Sequence, residues 1–491
     1  MTKTVLAAAL ALATSHAALA AEPTETASQG ADRESVAVTI YNDDLALIRE
    51  TRKVPLNAGI NRIALRDVSA RIMPQTASIA AGGDAVLQLL EQNFDYDLLS
   101  GNALLAKNVG KRVTTIRTNP ATGEETREEA TVLANNDGVV LQYADRIETG
   151  LPDNVRLAFH DVPANLRDRP TLTVDLTSDK AGEQSVDLAY LSQGLAWKAD
   201  YVASLADDEK TLNLAGWVTL DNKSGTAYEN ATLQLVAGDV ARVRDEFSYR
   251  ARSVEPMMAV EASAAMEPMR EENLFEYHLY TLGHPTTLKD NQSKQVALLS
   301  AAAVPVQKEY RLQGDSSWYY RLVNNAALPE EGDKRKVDVF VTFKNDDASK
   351  LGIPLPKGIV RVYKNDSDKR TQFIGEDSID HTAKNDKVRL KLGSAFDVSG
   401  VWKMVDAKRV DKGKLGKLLE DNEFEATYRI ELNNAKKEAV TVKVVEPIPG
   451  DWKIIEENQT HEKVGGNYAQ WQINVPAEGK SELQYTVRSK F

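Results

Sequence analysis

The chain has 491 residues, 72 of them acidic against 60 basic for a formal net charge of −12, and no cysteine. An acidic chain repels phosphate backbones, which argues against non-specific nucleic-acid binding. Without cysteine there is no thiol nucleophile, thiolate zinc site, disulfide or lipid anchor on a cysteine, so stability must come from buried core, and the length allows about three or four domains.

The chain opens MTKTVLAAALALATSHAALAAEP. Lys3 is a short basic start, Val5 to Ala13 is an apolar run, and Ala18-Leu19-Ala20 is a small-x-small cleavage pattern. This predicts a secretory signal peptide over 1–20 and an exported protein, periplasmic or secreted. The run is shorter than the ~20 residues needed to span a bilayer, and no later segment is long and apolar enough. Residues 21–34, small and polar, read as a flexible leader.

An N-terminal β unit is expected over 35–92. Val36, Val38 and Ile40 alternate with polar or small residues, and turns follow at Asn42-Asp43-Asp44 and Asn57-Ala58-Gly59. Residues 93–169 differ. Ser100 can cap a short helix carrying Leu104 and Leu105, ended by Asn108 and Gly110, and short strands follow around the hairpin signal Asn136-Asp137-Gly138. One helix and a few short strands predict a small inserted β-barrel, loosely Sm-like.

From 170 onward strand follows strand. TLTVDLTS, TLNLAGWVTL, KVDVFVTF and FEATYRIEL each alternate apolar and polar positions, the mark of half-buried antiparallel sheet. Strands that end on Asn222, Asn345 and Asn433 are each followed by a polar turn, and the last two lead to proline corners at Pro354, Pro356, Gly358 and Pro447, Pro449, Gly450. Asparagine bonds the backbone locally, and proline cannot continue a ladder. This weak repeat predicts sandwich units over 170–330, 331–410 and 411–491, the last immunoglobulin-like. Residues 244–272, rich in Ala, Glu, Met and Arg, read as a long mobile loop. The expected fold is all-β and mainly antiparallel: several β-sandwich units in series, a small inserted barrel and few short helices.

VTIYNDDLALIRE near the N-terminus, AYLSQGLAWKADYVASL, LFEYHLYTLGHPTTLKDNQSKQVALL, GIPLPKGIVRVYKND and QFIGEDSIDHT carry a resemblance. Over nearly the whole mature chain the sequence resembles the bacterial exported proteins grouped as domain of unknown function 4139, whose domains also occur in mucoidy-inhibitor-like proteins. The resemblance implies a β-rich envelope protein and carries over no catalytic residue. Mucoidy-inhibitor-like relatives often hold long coiled-coil insertions, and no such heptad run is present here.

Few residues point to chemistry. IGEDSIDHT (374–382) packs Glu376, Asp377, Asp380 and His381 into six residues. Carboxylates with an imidazole suit zinc or manganese, and the same residues suit the polar corner of a hairpin. His278 and His284 share strand parity with Tyr280, unless Gly283 and Pro285 interrupt the strand. Met257, Met258, Met266 and Met269 offer soft ligands for cuprous copper, or are part of a low-complexity loop. Trp318, Tyr319 and Tyr320 suit a sugar platform or core packing. There is no G-x-S-x-G, H-E-x-x-H, Walker or dinucleotide motif. The expectation is therefore a non-enzymatic binding or scaffold module recognising an envelope protein or surface polymer. The alternatives are a metal-dependent hydrolase of an envelope polymer, using the 376–381 cluster, and copper binding through the methionines. The sequence names no catalytic residue, cofactor or oligomeric state.

Overall fold

The computed structural model describes residues 24–42, 44–95, 98–136, 138–163, 166–241, 269–317, 319, 332–410 and 423–490. The signal-peptide segment, Met257, Met258, Met266, Trp318 and Tyr320 lie outside the described residues.

The chain is built almost wholly of strands. In the N-terminal part these are β1 (Glu25–Ser28), β2 (Arg33–Tyr41), β3 (Leu45–Leu56), β4 (Gly59–Arg66), β5 (Ser78–Ala81) and β6 (Leu87–Asp95). The one α-helix among the described residues, α1 (Gly101–Lys107), starts where Ser100 predicts: its hydroxyl accepts the Ala103 N–H at 3.1 Å. Beyond it run β7 (Arg112–Thr118), β8 (Glu125–Asn135), β9 (Val139–Gln142), β10 (Ile147–Thr149) and β11 (Val155–Ala158). They form an antiparallel sheet in the order β10-β9-β8-β7-β11, with a small core of its own around Val113, Val132 and Leu141. Among the described residues its edge strands β10 and β11 do not pair, so the expected barrel is an open five-stranded sheet.

The next strands are β12 (Thr171–Ser178), β13 (Gly182–Ser192), β14 (Leu195–Leu205), β15 (Thr211–Asn222) and β16 (Tyr228–Ala237), then β17 (Arg270–Leu274), β18 (Tyr277–Thr281), β19 (Thr286–Leu288), β20 (Gln292–Pro305) and β21 (Gln307–Gln313). The end of the stretch expected to be loop is thus strand, because Arg270–Leu274 pairs with β18, and Met269 is buried beside it. The C-terminal part holds β22 (Asp333–Lys344), β23 (Gly358–Asn365), β24 (Thr371–Ile379), β25 (Lys387–Arg409), β26 (Glu423–Asn434), β27 (Val440–Pro447), β28 (Asp451–Glu457), β29 (Glu462–Val464), β30 (Tyr468–Val475) and β31 (Gly479–Lys490).

Three sheets, ordered β1-β4-β12-β6, β17-β18-β16-β2-β3-β13-β5 and β20-β15-β14-β23-β24, share one large core from Val36 to Leu390. A nine-stranded sheet, β28-β31-β26-β25-β22-β21-β27-β30-β29, wraps a second core containing Trp402, Tyr428, Trp471 and Tyr485. Pairing is antiparallel except at β1·β4, β16·β2, β14·β23 and β21·β27 among the described strands. The all-β, mainly antiparallel class is as read from the alternation. Yet the sheets cross the unit boundaries suggested by the repeat. Strands from 35–92 pair with strands from 170–237, and β23 and β24 complete a sheet begun by β14, β15 and β20. The alternation in KVDVFVTF puts Val337, Val339, Val341 and Phe343 on one face, and the two cores divide that row. Val337 and Val339 pack on the second core and Val341 and Phe343 on the first, with register shifts against β25 between them.

Candidate functional site

IGEDSIDHT lies at the end of β24 and in the turn beyond it. Gly375 is there because a Cβ would fall 2.6 Å from the Leu392 carbonyl, where β24 lies on β25. Glu376 stands opposite Arg361 of β23, 3.2 Å from its Nε, and the same guanidinium reaches Asp200 at 2.9 Å. Asp377 accepts the backbone N–H of Ser378 at 2.9 Å and of Lys391 at 2.7 Å. Thr382 donates its hydroxyl to the Asp380 carbonyl at 2.8 Å, and its backbone pairs with Leu355 in the proline corner. His381 Nδ1 accepts the Lys357 N–H at 3.3 Å, and burial, then the Lys357 charge, hold its imidazole below the usual range. The side chains of Glu376, Asp377 and His381 therefore take separate partners, and the Asp380 charge acts on His381. Among the described residues no group of three or more His, Asp or Glu stands together as metal ligands would.

Of the other sequence candidates, His278 comes within electrostatic reach of His381. His278, on β18, contacts Glu271 at 2.8 Å, while His284 sits in the break between β18 and β19 with its Nδ1 3.1 Å from the Pro285 carbonyl. Met269 is buried, as are Tyr319, Trp197, Trp402, Trp452 and Trp471. These aromatics pack core.

The end of the 374–382 motif does line something. Ser378, Ile379, Asp380 and Thr382 form one wall of a groove of about 860 Å³. Its floor is the outer face of the nine-stranded sheet. Alternation sets that floor: Tyr310 and Leu312 of β21 face the core, so Glu309, Arg311 and Gln313 face the groove. By the same parity Lys443 and Val445 of β27 and Tyr468 and Gln470 of β30 point outward, and Lys387 and Arg389 of β25 complete the floor.

The charges of this groove are unbalanced. Lys443 is neutralised by Glu309 at 2.6 Å, which leaves the other Glu309 oxygen without a hydrogen-bond partner. Arg311 donates only to Gln313, at 2.9 and 3.1 Å, and Arg389 lies over the Phe340 ring, 4.9 Å from its centroid. Among the described residues no carboxylate pairs with Arg311, Lys387 or Arg389. Burial and the neighbouring Arg389 charge hold Arg311 below its ordinary value, against the pull of Glu309, Tyr468 and Asp338. Two like charges held together in a partly desolvated groove favour an anion between them.

Sequence reasoning missed this groove. Its cations sit at alternate strand positions, where charge ordinarily marks a solvated face, and come from strands far apart in the chain.

No helix among the described residues is long and apolar enough to cross a membrane. No curated protein matches the chain. A family match covers residues 186–491, beginning inside β13 and leaving VTIYNDDLALIRE outside it. That span takes in the whole groove, and over it the chain belongs to the family described as domain of unknown function (DUF4139).

Proposed function

We propose that this chain is a non-enzymatic binding module of the cell envelope that holds a negatively charged partner in the groove between β24 and the nine-stranded sheet. The observation that carries the reading is that Arg311, Lys387 and Arg389 line one groove with no ion-paired carboxylate among the described residues, on a chain that is acidic overall. The export pattern at 1–20 supports the envelope as its setting.

The test is calorimetric titration with dextran sulfate beside neutral dextran. Dextran sulfate should bind, more weakly as salt rises, and Arg311→Ala/Arg389→Ala should lower affinity about tenfold or more. Absence of binding at low salt, or binding indifferent to the double substitution, overturns the reading.

A further inference from the structure

We infer that the groove holds an acidic polysaccharide whose charge lies on carboxylates of its sugar rings, extended across the strands. This rests on the anion-binding reading above and adds the chemistry of the ligand.

The first argument is shape. The floor runs from β25 through β22, β21 and β27 to β30, four steps between neighbouring strands. At about 4.8 Å per step this is about 19 Å, several times the width of a single phosphate or carboxylate. The unpaired cations are spread along that track, with Lys387 and Arg389 on β25 and Arg311 on β21. Spaced charges match a polymer that carries charge at intervals.

The second argument is which groups face the ligand. Backbone N–H groups of paired strands are committed to the ladder, so the floor has no nest of amides to cradle a phosphate. Recognition falls to side chains. Guanidinium forks match planar carboxylates two bonds at a time. Glu309 and Asp380 lie among the cations. They weaken the hold on a densely charged polyphosphate or sulfated chain relative to a carboxylate polymer, and they accept hydrogen bonds from hydroxyl groups. Gln313, Gln470, Ser378 and Thr382 add further donors and acceptors of the kind that bind hydroxyls.

The third argument is Tyr468. It is 43 % exposed at the β30 end of the groove and within electrostatic reach of Arg311. An exposed ring beside a cation offers an apolar platform for the face of a sugar, next to the site that takes its charge.

Calorimetric titration of the full chain with four probes tests this: oligogalacturonates of increasing length, poly-glutamate, polyphosphate and neutral maltodextrin. Oligogalacturonate should bind tightest, with affinity rising with length until the groove is filled. Arg389→Ala and Tyr468→Ala should each weaken it about tenfold, and thermal unfolding of both variants should match that of the wild type. If poly-glutamate or polyphosphate binds as well as oligogalacturonate and Tyr468→Ala is silent, the sugar assignment falls while the anion reading stands. If maltodextrin binds equally well, charge is not what the groove reads and the assignment falls. If no polyanion binds, both the assignment and the reading beneath it fall.

Discussion

Glu446 has the strand parity of Val442 and Val444, so its side chain points into the second core, opposite Val445 in the groove floor. It is fully buried, and neither carboxyl oxygen has a hydrogen-bond partner. It packs so closely on Gly314 that a Cβ there would fall 2.2 Å from Oε2. The buried phenols of Tyr319, Tyr428 and Tyr485 cluster on the same side, with ring centroids 5.4 Å and 5.3 Å apart. Burial pushes the Glu446 carboxyl up to about 8, opposed by the Arg335 charge and by the Trp402 and Tyr485 side chains. An unfolded glutamate loses its proton near pH ~4.3. Between about pH 5 and 8, therefore, the folded chain keeps a proton that the unfolded chain has lost, and stability falls as pH rises through that window. Glu446→Gln is permanently neutral at nearly the same size. Its denaturant midpoint should fall less between pH 5 and 8 than that of the wild type. His381, held below its ordinary value, contributes with the opposite sign, but it is common to both proteins and drops out of the difference. Parallel midpoint curves would show that Glu446 ionises freely.

At the scale of the element, the repeat proves to be a specific device at strand ends. Asn222, Asn345 and Asn434 are all buried. Each amide donates to three carbonyls: those of Thr226, Leu288 and Lys289, of Ile353, Thr382 and Ala383, and of Glu438, Val475 and Pro476. The third is one residue beyond the Asn433 expected, because in Asn433-Asn434 it is Asn434 that has core parity. The proline corners are tied down as well, Pro354 by the Tyr280 hydroxyl, Pro356 by Tyr201 and Pro449 by Ser489. Replacing Asn345 by Leu removes its bonds in a site closed to water and strands the Ile353 carbonyl and the Gly352 N–H, while Leu355 and Asp386 still donate to Thr382 and Ala383, and should cost about 2–3 kcal/mol. Urea unfolding measures this, and a loss under about 0.5 kcal/mol would mean that the turn holds without the amide. Because Asn345 bonds Thr382 and Ala383, the same residue anchors the wall of the groove. Of the motif 374–382, residues up to Ile379 are strand and only the rest turns, although Asp377 does bond nearby amides as a short acidic side chain can. The motif's place on a groove wall was not legible, because the facing residues lie on other strands.

Over the whole molecule, β22 and β25 stitch the two cores together. Val341, Phe343, Val388 and Leu390 pack in the first, and Val337, Val398, Trp402 and Met404 in the second. The groove lies where that crossing leaves the outer face of one sheet beside the end of another, so its shape depends on both cores. The family match starts at Val186, yet β13 is bonded to β3 from Gly182 to Ser192, and Val38, Ile48, Leu65 and Leu172 fill the first core. A chain cut to residues 186–491 exposes that surface and leaves open strand edges. It should lose the cooperative thermal transition of the full chain and its near-ultraviolet circular dichroism. A sharp transition in the shortened chain would show that the first core closes without its N-terminal strands.

The sequence by itself determined that this is an all-β protein, because apolar alternation is a local property that survives without knowledge of neighbours. It also placed the capped helix at Ser100, the asparagine turns and the proline corners, each a matter of a few consecutive residues. Which strands pair, how many cores form and where a binding surface arises are set by contacts between residues far apart in the chain. Arg311 and Arg389 carry nothing in their local sequence to mark them. Only the pairing of β21 and β25 through β22 brings their charges within reach of each other, with Glu309 and Asp338 beside Arg311.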